Sequence, residues 1–114
     1  MSNEPAPSPA VAEILRVYGL VPQLSRLRQD VLMGDVWQQP ELAQRDKSLV
    51  TCAILAALGR NDELASHLQR AVSNGITPDE IRGMAVHVAF YAGWPAGLSV
   101  GRAALDILEG EKEG

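Results

Sequence analysis

The sequence predicts an all-α fold. Apolar residues recur at helical spacing along most of the 114-residue chain, strand-like alternation is nearly absent, and glycine and proline separate the periodic segments. The composition, 46% hydrophobic and 21% charged, is typical of a folded globular protein of one modest domain. We therefore predict a flexible, proline-rich arm at residues 1–9, a single helical domain at residues 10–110 and a short tail at residues 111–114.

Helix start and stop signals divide the domain into six predicted helices. The clearest start is Thr77, which offers an N-cap, followed by Pro78 at the first helical position and Glu80 to complete a capping box. We expect the first helix to stop before Gly19 and Gly75 to close the fourth. The predicted helices cover residues 10–18, 22–36, 46–58, 62–73, 78–92 and 96–109.

Two of these helices are apolar on nearly every side. Residues 49–58 and residues 84–92 contain few polar side chains, and a helix that is apolar all round needs burial all round. Six short helices cannot easily enclose two such helices. We therefore predict that several copies of the chain assemble into a homo-oligomer.

Charge and cysteine content exclude several classes of protein. The net charge of −4 and the scattered Lys and Arg residues argue against nucleic acid as a partner. The single cysteine, Cys52, cannot form a disulfide within the chain, and its apolar surroundings should raise its pKa and leave it inert. The first ten residues lack the apolar centre of a secretory signal, and no segment reaches the roughly twenty apolar residues of a membrane span. We expect a cytoplasmic protein with no membrane partner.

The two histidines are the first candidates for chemistry. Glu63 and His67 share one face of the fourth helix, at the edge of its apolar stripe, so they are either a surface polar pair or a cleft histidine held by a carboxylate. His87 and Tyr91 have the same spacing in the fifth helix. The apolar neighbours of His87 predict a buried, hydrogen-bonded histidine, either in the core or in an interface. Metal-binding spacings such as HExxH or paired cysteines are absent, so no metal is expected.

Four short motifs, in this order and spacing, carry a resemblance to a known family. They are GDVW at Gly34 to Trp37, SLVT followed by AALGR, ELASH at Glu63 to His67, and YAGWPA at Tyr91 to Ala96. From about Gly34 to Gly97 the chain resembles the carboxymuconolactone decarboxylase family. The resemblance implies a six-helix orthogonal bundle of the alkylhydroperoxidase type, assembled as a hexamer or trimer.

The same resemblance argues against a thiol peroxidase. The alkylhydroperoxidase-like branch of the fold uses a CxxCxxxH redox motif. The positions of its two cysteines relative to His67 are held here by Arg60 and Glu63. We therefore do not expect peroxidase activity.

The resemblance implies a decarboxylase of 4-carboxymuconolactone, or of a similar lactone or keto acid, in aromatic-compound degradation. Such a reaction requires no cofactor, since the substrate itself can accept the electrons that carbon dioxide leaves behind. The resemblance assigns proton transfer to His67, positioned by Glu63. An imidazole is suited to acid catalysis near neutral pH. A set of further residues is then expected to bind an anionic substrate, the basic ones through its carboxylates. These are Arg45, Arg60, His87, Tyr91, Trp94 and Trp37.

Two departures from the family pattern bear on the substrate. After the tryptophan the decarboxylases commonly read Trp-x-Arg-Pro-Gly, whereas this chain has Gln39 and Glu41 at the arginine and glycine positions. The loss of that arginine favours a less anionic substrate. Two alternatives stay open: a protein of the same fold with a changed substrate or reaction, and a non-enzymatic interaction protein in which both histidines only pack.

Overall fold

The computed structural model describes the backbone of residues 8–113 and the side chains of residues 8–110. Within this part of the chain there are seven α-helices and no strands, which confirms the all-α prediction. No helix in it combines the length and the apolar character needed to cross a bilayer. Most of the predicted arm, residues 1–7, lies outside the described residues.

The chain divides into two compact units, one ending at Gln39 and the other beginning at Pro40. The sequence predicted one domain over residues 10–110, and that single domain stays a prediction. We describe each unit by itself.

The first unit contains α1 (Pro9–Leu20) and α2 (Pro22–Leu27), followed by a π-helix (Arg28–Met33) and a 3-10 turn (Val36–Gln38). The Ser8 hydroxyl caps α1 by accepting a hydrogen bond from the Val11 amide at 3.3 Å. The helix continues through Gly19, where we expected it to stop, because no proline follows until Pro22. In place of the single helix predicted over residues 22–36, the chain forms three shorter elements: α2, the π-helix and the 3-10 turn.

Gly34 ends the π-helix at a point of close backbone approach. A Cβ placed on Gly34 would lie 2.6 Å from the Asp30 carbonyl oxygen, so only glycine fits there without a shift of the backbone. This steric constraint explains the glycine of the GDVW motif. The motif's tryptophan, Trp37, is the one buried residue among residues 8–39, at 6% exposure.

The second unit contains five helices with bounds close to the predicted ones: α3 (Gln44–Ala57), α4 (Asn61–Ser73), α5 (Pro78–Ala92), α6 (Trp94–Ala103) and α7 (Leu105–Glu113). Gly59 and Gly75 follow α3 and α4 with φ of 74° and 107°, a backbone region that favours glycine. The predicted last helix, 96–109, is interrupted at Ala104 and becomes α6 and α7. The backbone of α7 continues into the residues that we predicted as a tail.

The N-terminus of α5 is capped as the sequence predicts. The Thr77 hydroxyl accepts from the Glu80 amide at 3.2 Å, and the Thr77 amide donates to the Glu80 carboxylate at 2.9 Å. Pro78 occupies the first helical position. The capping box is therefore confirmed.

The core of the second unit forms where α3, α4, α5 and α6 meet. The stripe predicted on α4 supplies three of its members, Leu64, Leu68 and Ala71, while Val72 at its edge stays exposed. Burying each leucine contributes about 1.5–3 kcal/mol. The core residues are Cys52, Ala56, Leu64, Leu68, Ala71, Ile76, Ile81, Met84, Val88, Val100 and Ala104.

Cys52 and Ser48 are the buried polar groups of α3. Burial raises the pKa of the Cys52 thiol to about 11, as its apolar surroundings predicted, so the thiolate is suppressed at neutral pH. The Ser48 hydroxyl accepts a hydrogen bond from the Asn74 side-chain amide at 2.9 Å. This bond ties the start of α3 to the end of α4.

Gly97 sets the distance between α5 and α6. A Cβ on this buried glycine would lie 2.5 Å from the Ala89 Cβ and 2.7 Å from the Ala85 carbonyl oxygen. Both obstacles belong to α5, one of them backbone, so neither can turn away as a long side chain could. The close approach of the two helices therefore requires glycine at this position.

We expect Gly97→Ala to destabilise the protein by about 1–3 kcal/mol, because the added methyl group overpacks the α5–α6 contact. Gly101→Ala is the matched control on the same helix, since a Cβ there meets no atom within 4 Å. That control should be neutral or stabilise by about 0.5–1 kcal/mol through helix propensity. Urea unfolding measures both. Equal effects of the two substitutions would contradict the proposed close contact.

Candidate active site

Glu63 and His67 lie one turn apart on α4, as predicted from their spacing. Glu63 is exposed in the first turn and His67 is partly buried, at the edge of the Leu64 and Leu68 stripe. Within the described residues the Glu63 carboxylate has no hydrogen-bond or ion-pair partner. In the single chain, therefore, this carboxylate does not hold the His67 ring in place.

Arg45 lies in a polar cluster that joins the starts of α3 and α5. Its guanidinium donates to the Glu80 carboxylate, 35 residues further along the chain, and to Asp46 at 3.2 Å. Glu80 thus serves both the capping box and an ion pair, a role that its local sequence does not show. This pairing competes with the substrate-binding role that we predicted for Arg45.

The same cluster perturbs the titration of its members. The hydrogen bond from Arg45, supported by the Thr77 amide, lowers the pKa of Glu80 from 4.5 to about 2. The carboxylate in turn raises the pKa of the Arg45 guanidinium. Both shifts favour the charged forms, so the cluster is an ion pair over the physiological pH range.

The second predicted substrate-binding arginine, Arg60, immediately precedes α4. Its carbonyl accepts from the Leu64 amide at 2.9 Å, and its own amide donates to the Leu55 carbonyl at 2.9 Å. Its side chain is exposed and makes no capping hydrogen bond to the helix. Glu63 follows Arg60 by three positions, which places both at the same end of α4.

His87 is exposed in the single chain, which corrects the prediction that it is a core histidine; its burial in an interface stays a prediction. Its ring stacks on Tyr91, with 4.7 Å between centroids and 28° between planes. The apolar residues around it in the sequence lie on several faces of α5, of which Ile81, Met84 and Val88 are buried in the core. His87 therefore belongs to the outer side of the helix.

Aromatic side chains cover that outer side of α5 and the start of α6. Tyr91 is 83% exposed, Phe90 77% and Trp94 63%. Phe90 and Trp94 meet edge to face at 6.3 Å between centroids. Both line an apolar groove of about 180 Å³ between α5 and α6, together with Ala85, Val86, Ala89, Gly97 and Leu98. Phe90 was not predicted as a site residue because a phenylalanine in an apolar helix usually packs inside.

A single chain does not bring all the predicted site residues together. His87 and Tyr91 touch, Glu63 and His67 share a helix face, and Trp94 lies in the apolar groove, whereas Arg45 is engaged by Glu80. Trp37 is buried in the first unit. Neither this groove nor a second cleft beside α6 is lined by His67. Among the described residues, no three His, Cys, Asp or Glu side chains are grouped closely enough to hold a metal ion.

Comparison with known proteins identifies the class of helical protein to which the chain belongs. The sequence profile of the carboxymuconolactone decarboxylase family matches residues 22–106, so the chain is a member of this family. That range covers α2 to α6 and the start of α7. The resemblance inferred from the four motifs is confirmed.

Two curated relatives are decarboxylases by name. The chain is similar to 4-carboxymuconolactone decarboxylase of Acinetobacter baylyi, with 42% identity over 76 residues, covering 67% of this chain and 57% of the relative. It is also similar to nitrosuccinic acid decarboxylase npaB of Metarhizium robertsii, with 38% identity over 63 residues, covering 55% of this chain and 44% of the relative. The chain thus spans about half the length of these relatives.

The Glu80 ion pair makes a pH-dependent contribution to stability. Because the folded-state pKa lies below the ordinary value of 4.5, this contribution is present above about pH 4.5 and is lost as the pH falls toward 2. We expect Glu80→Gln, which keeps an acceptor for the capping box, to destabilise the protein at about pH 6 and to have a much smaller effect near pH 2.

Urea unfolding at a series of pH values measures this difference. Glu109→Gln, an exposed carboxylate on α7, is the control and should show no comparable pH-dependent difference. A Glu80→Gln effect that is constant between about pH 6 and 2 would rule out the ion pair as its cause.

Proposed function

We propose that this chain is a cofactor-independent decarboxylase of 4-carboxymuconolactone or of a similar small lactone or keto acid. Membership of the family and its two decarboxylase relatives support this proposal most directly. The substrates in these two names share a chemical feature, a group that accepts electrons. A lactone carbonyl and a nitro group can each accept the electron pair that remains when carbon dioxide leaves.

The proposed reaction needs three functions from the protein. The substrate carboxylate loses carbon dioxide, and the electrons of the broken C–C bond pass through the ring alkene into the lactone carbonyl to form a dienolate. The protein binds the anionic substrate, stabilises the dienolate oxygen and returns a proton to carbon. We assign the proton donor to His67, because its partly buried position on α4 is compatible with both contact to a ligand and exclusion of bulk water.

Glu63 is proposed to position the His67 imidazole once substrate or another subunit encloses it. The two residues are at i and i+4, which is within reach for a side-chain pair. Arg60, exposed at the same end of α4, is the proposed carboxylate-binding residue of this group. Arg45 is proposed to contact substrate only if the substrate carboxylate displaces Glu80 from its guanidinium.

A changed substrate is the second candidate, and one observation favours it. Gln39 stands where the family's decarboxylases commonly carry an arginine, and its side-chain amide donates to the Asp35 carboxylate at 3.5 Å. An uncharged amide cannot neutralise a carboxylate as a guanidinium does. This arrangement supports a substrate with one carboxylate fewer than a dicarboxylate.

We also propose that the active protein is a homo-oligomer, a hexamer or a trimer, whose assembly encloses the site. The exposed aromatic side of α5 and α6 supports this, as do Val50, Ile54 and Leu58 on the outside of α3. Apolar surface of this extent is typical of a protein interface. Assembly would also enclose His87 and Tyr91, which are proposed to line the substrate pocket with Trp94. A substrate-binding role of Trp37 stays a prediction.

We expect purified protein to release carbon dioxide from 4-carboxymuconolactone, and His67→Ala to reduce kcat/KM at least about 100-fold through loss of the proton donor. Gln69→Ala, an exposed residue on the same helix, is the control and should retain activity. Full activity of His67→Ala with an unchanged oligomer would remove His67 from the mechanism. A wild-type protein that does not turn over the lactone at high enzyme concentration would exclude that substrate.

Sedimentation velocity tests the proposed assembly. We expect the wild type to sediment well above the 12.2 kDa of one chain at micromolar concentration, and Phe90→Glu to shift it toward the monomer by placing a charge in the apolar contact. Gln69→Glu adds the same charge on the surface of α4 and should leave the assembly intact. A wild type that is monomeric under these conditions would contradict the proposal.

A further inference from the structure

A second cleft, open to solvent, lies beside α6. It has a volume of about 460 Å³ and is bounded by the ends of α3 and α5, the start of α4 and one face of α6. Three alanine methyl groups, those of Ala57, Ala92 and Ala96, form part of its apolar lining. Its polar side chains are Asn61, Ser99 and Arg102. The cleft thus combines an apolar surface with a few polar groups, as small-molecule sites commonly do.

Among the described residues that line this cleft, Arg102 is the only one with an ionisable side chain. Within the described residues it has no ion-pair partner, in contrast to Arg45 with Glu80 and Arg82 with Asp79. The charge of the cleft is therefore positive and uncompensated by its own lining. The Asn61 side chain adds an amide donor, while the Ser99 hydroxyl already donates to the Pro95 carbonyl at 3.1 Å.

We propose that this cleft binds a small carboxylic acid with an apolar body. The carboxylate pairs with the Arg102 guanidinium, which presents two parallel N–H donors in the geometry that a carboxylate accepts. The apolar body lies on the alanine methyl groups. A cation would be repelled by Arg102, and a neutral polar molecule would leave the guanidinium unpaired, so an organic acid fits better than either.

This site is separate from His67 within the same chain, and its existence does not rest on the proposed decarboxylation. His67 is six residues after Asn61 on α4, which corresponds to about 9 Å along the helix axis and about 120° around it. The two side chains therefore project on opposite sides of the α4 core stripe. His67 and Glu63 are both absent from the lining of the cleft.

Binding of benzoate, followed by NMR of alanine methyl groups in the intact protein, tests the proposal. We expect saturable shifts of the Ala57, Ala92 and Ala96 methyl signals, with Ala85 in the α5–α6 groove as the internal reference. Arg102→Gln should weaken binding at least about tenfold, because it removes the charge-assisted pair. Benzamide, of the same shape without the charge, should bind wild type at least about tenfold more weakly than benzoate does.

Two control variants separate this site from others. Arg26→Gln removes an equal charge from an exposed position in α2, and His67→Ala alters the proposed catalytic site; both should bind benzoate as the wild type does. Unchanged binding in Arg102→Gln, loss of binding in His67→Ala, or no saturable shift at the three methyl groups would each overturn the proposal. Failure of the lactone assay would leave these results unaffected.

Discussion

The contact between α5 and α6 at Gly97 is the constraint on which the rest of the second unit depends. The absent side chain lets the two helices approach until Ala85 and Ala89 of α5 lie against the α6 backbone. This approach brings Val100 of α6 into the same core as Met84 and Val88. A wider separation would leave a gap beside Val100, and packing of interiors does not tolerate such gaps without a loss of stability.

The same contact places two different surfaces on the two sides of the helix pair. On one side, the exposed aromatic residues Phe90 and Trp94 flank an apolar groove without any ionisable side chain. On the other side, α6 contributes Arg102 to a cleft that also contains the start of α4. The first surface has the character of a subunit contact and the second that of a small-ligand site. Both surfaces include α6, and they differ because α6 presents apolar side chains on one face and Arg102 on another.

Two polar contacts fasten helix ends in the second unit. The Arg45–Glu80 pair joins the starts of α3 and α5, and the Asn74–Ser48 bond joins the end of α4 to α3. These interactions orient α4, and with it Glu63 and His67, against the remainder of the second unit. Since the Glu63 carboxylate has no hydrogen-bond or ion-pair partner among the described residues, it does not hold the His67 ring directly, and the helix sets the position of the carboxylate. In the proposed mechanism, substrate or a neighbouring subunit encloses His67 and so brings Glu63 into contact with its imidazole.

Local sequence determined the elements of this protein, because helix signals act over a few residues. The capping box at Thr77 and Glu80, the stops at Gly59 and Gly75, and the core stripe of α4 are all evident from spacing. The order of the four family motifs likewise identified the family. The π-helix at Arg28–Met33 and the break at Ala104 were not foreseen, because both continue a helical pattern without a glycine or proline signal.

Only the tertiary structure decided which side chains meet. Arg45 was expected to bind substrate, but its guanidinium pairs with the Glu80 carboxylate. The two residues are 35 positions apart, so their local spacing does not indicate this pairing. His87 lies among apolar neighbours yet points outward, because neighbours in sequence are distributed around the whole helix. Arg102 lies in a segment of small residues, and its cleft exists only where four helices converge. Sequence spacing determines the face of a helix, whereas what that face contacts depends on how the helices pack.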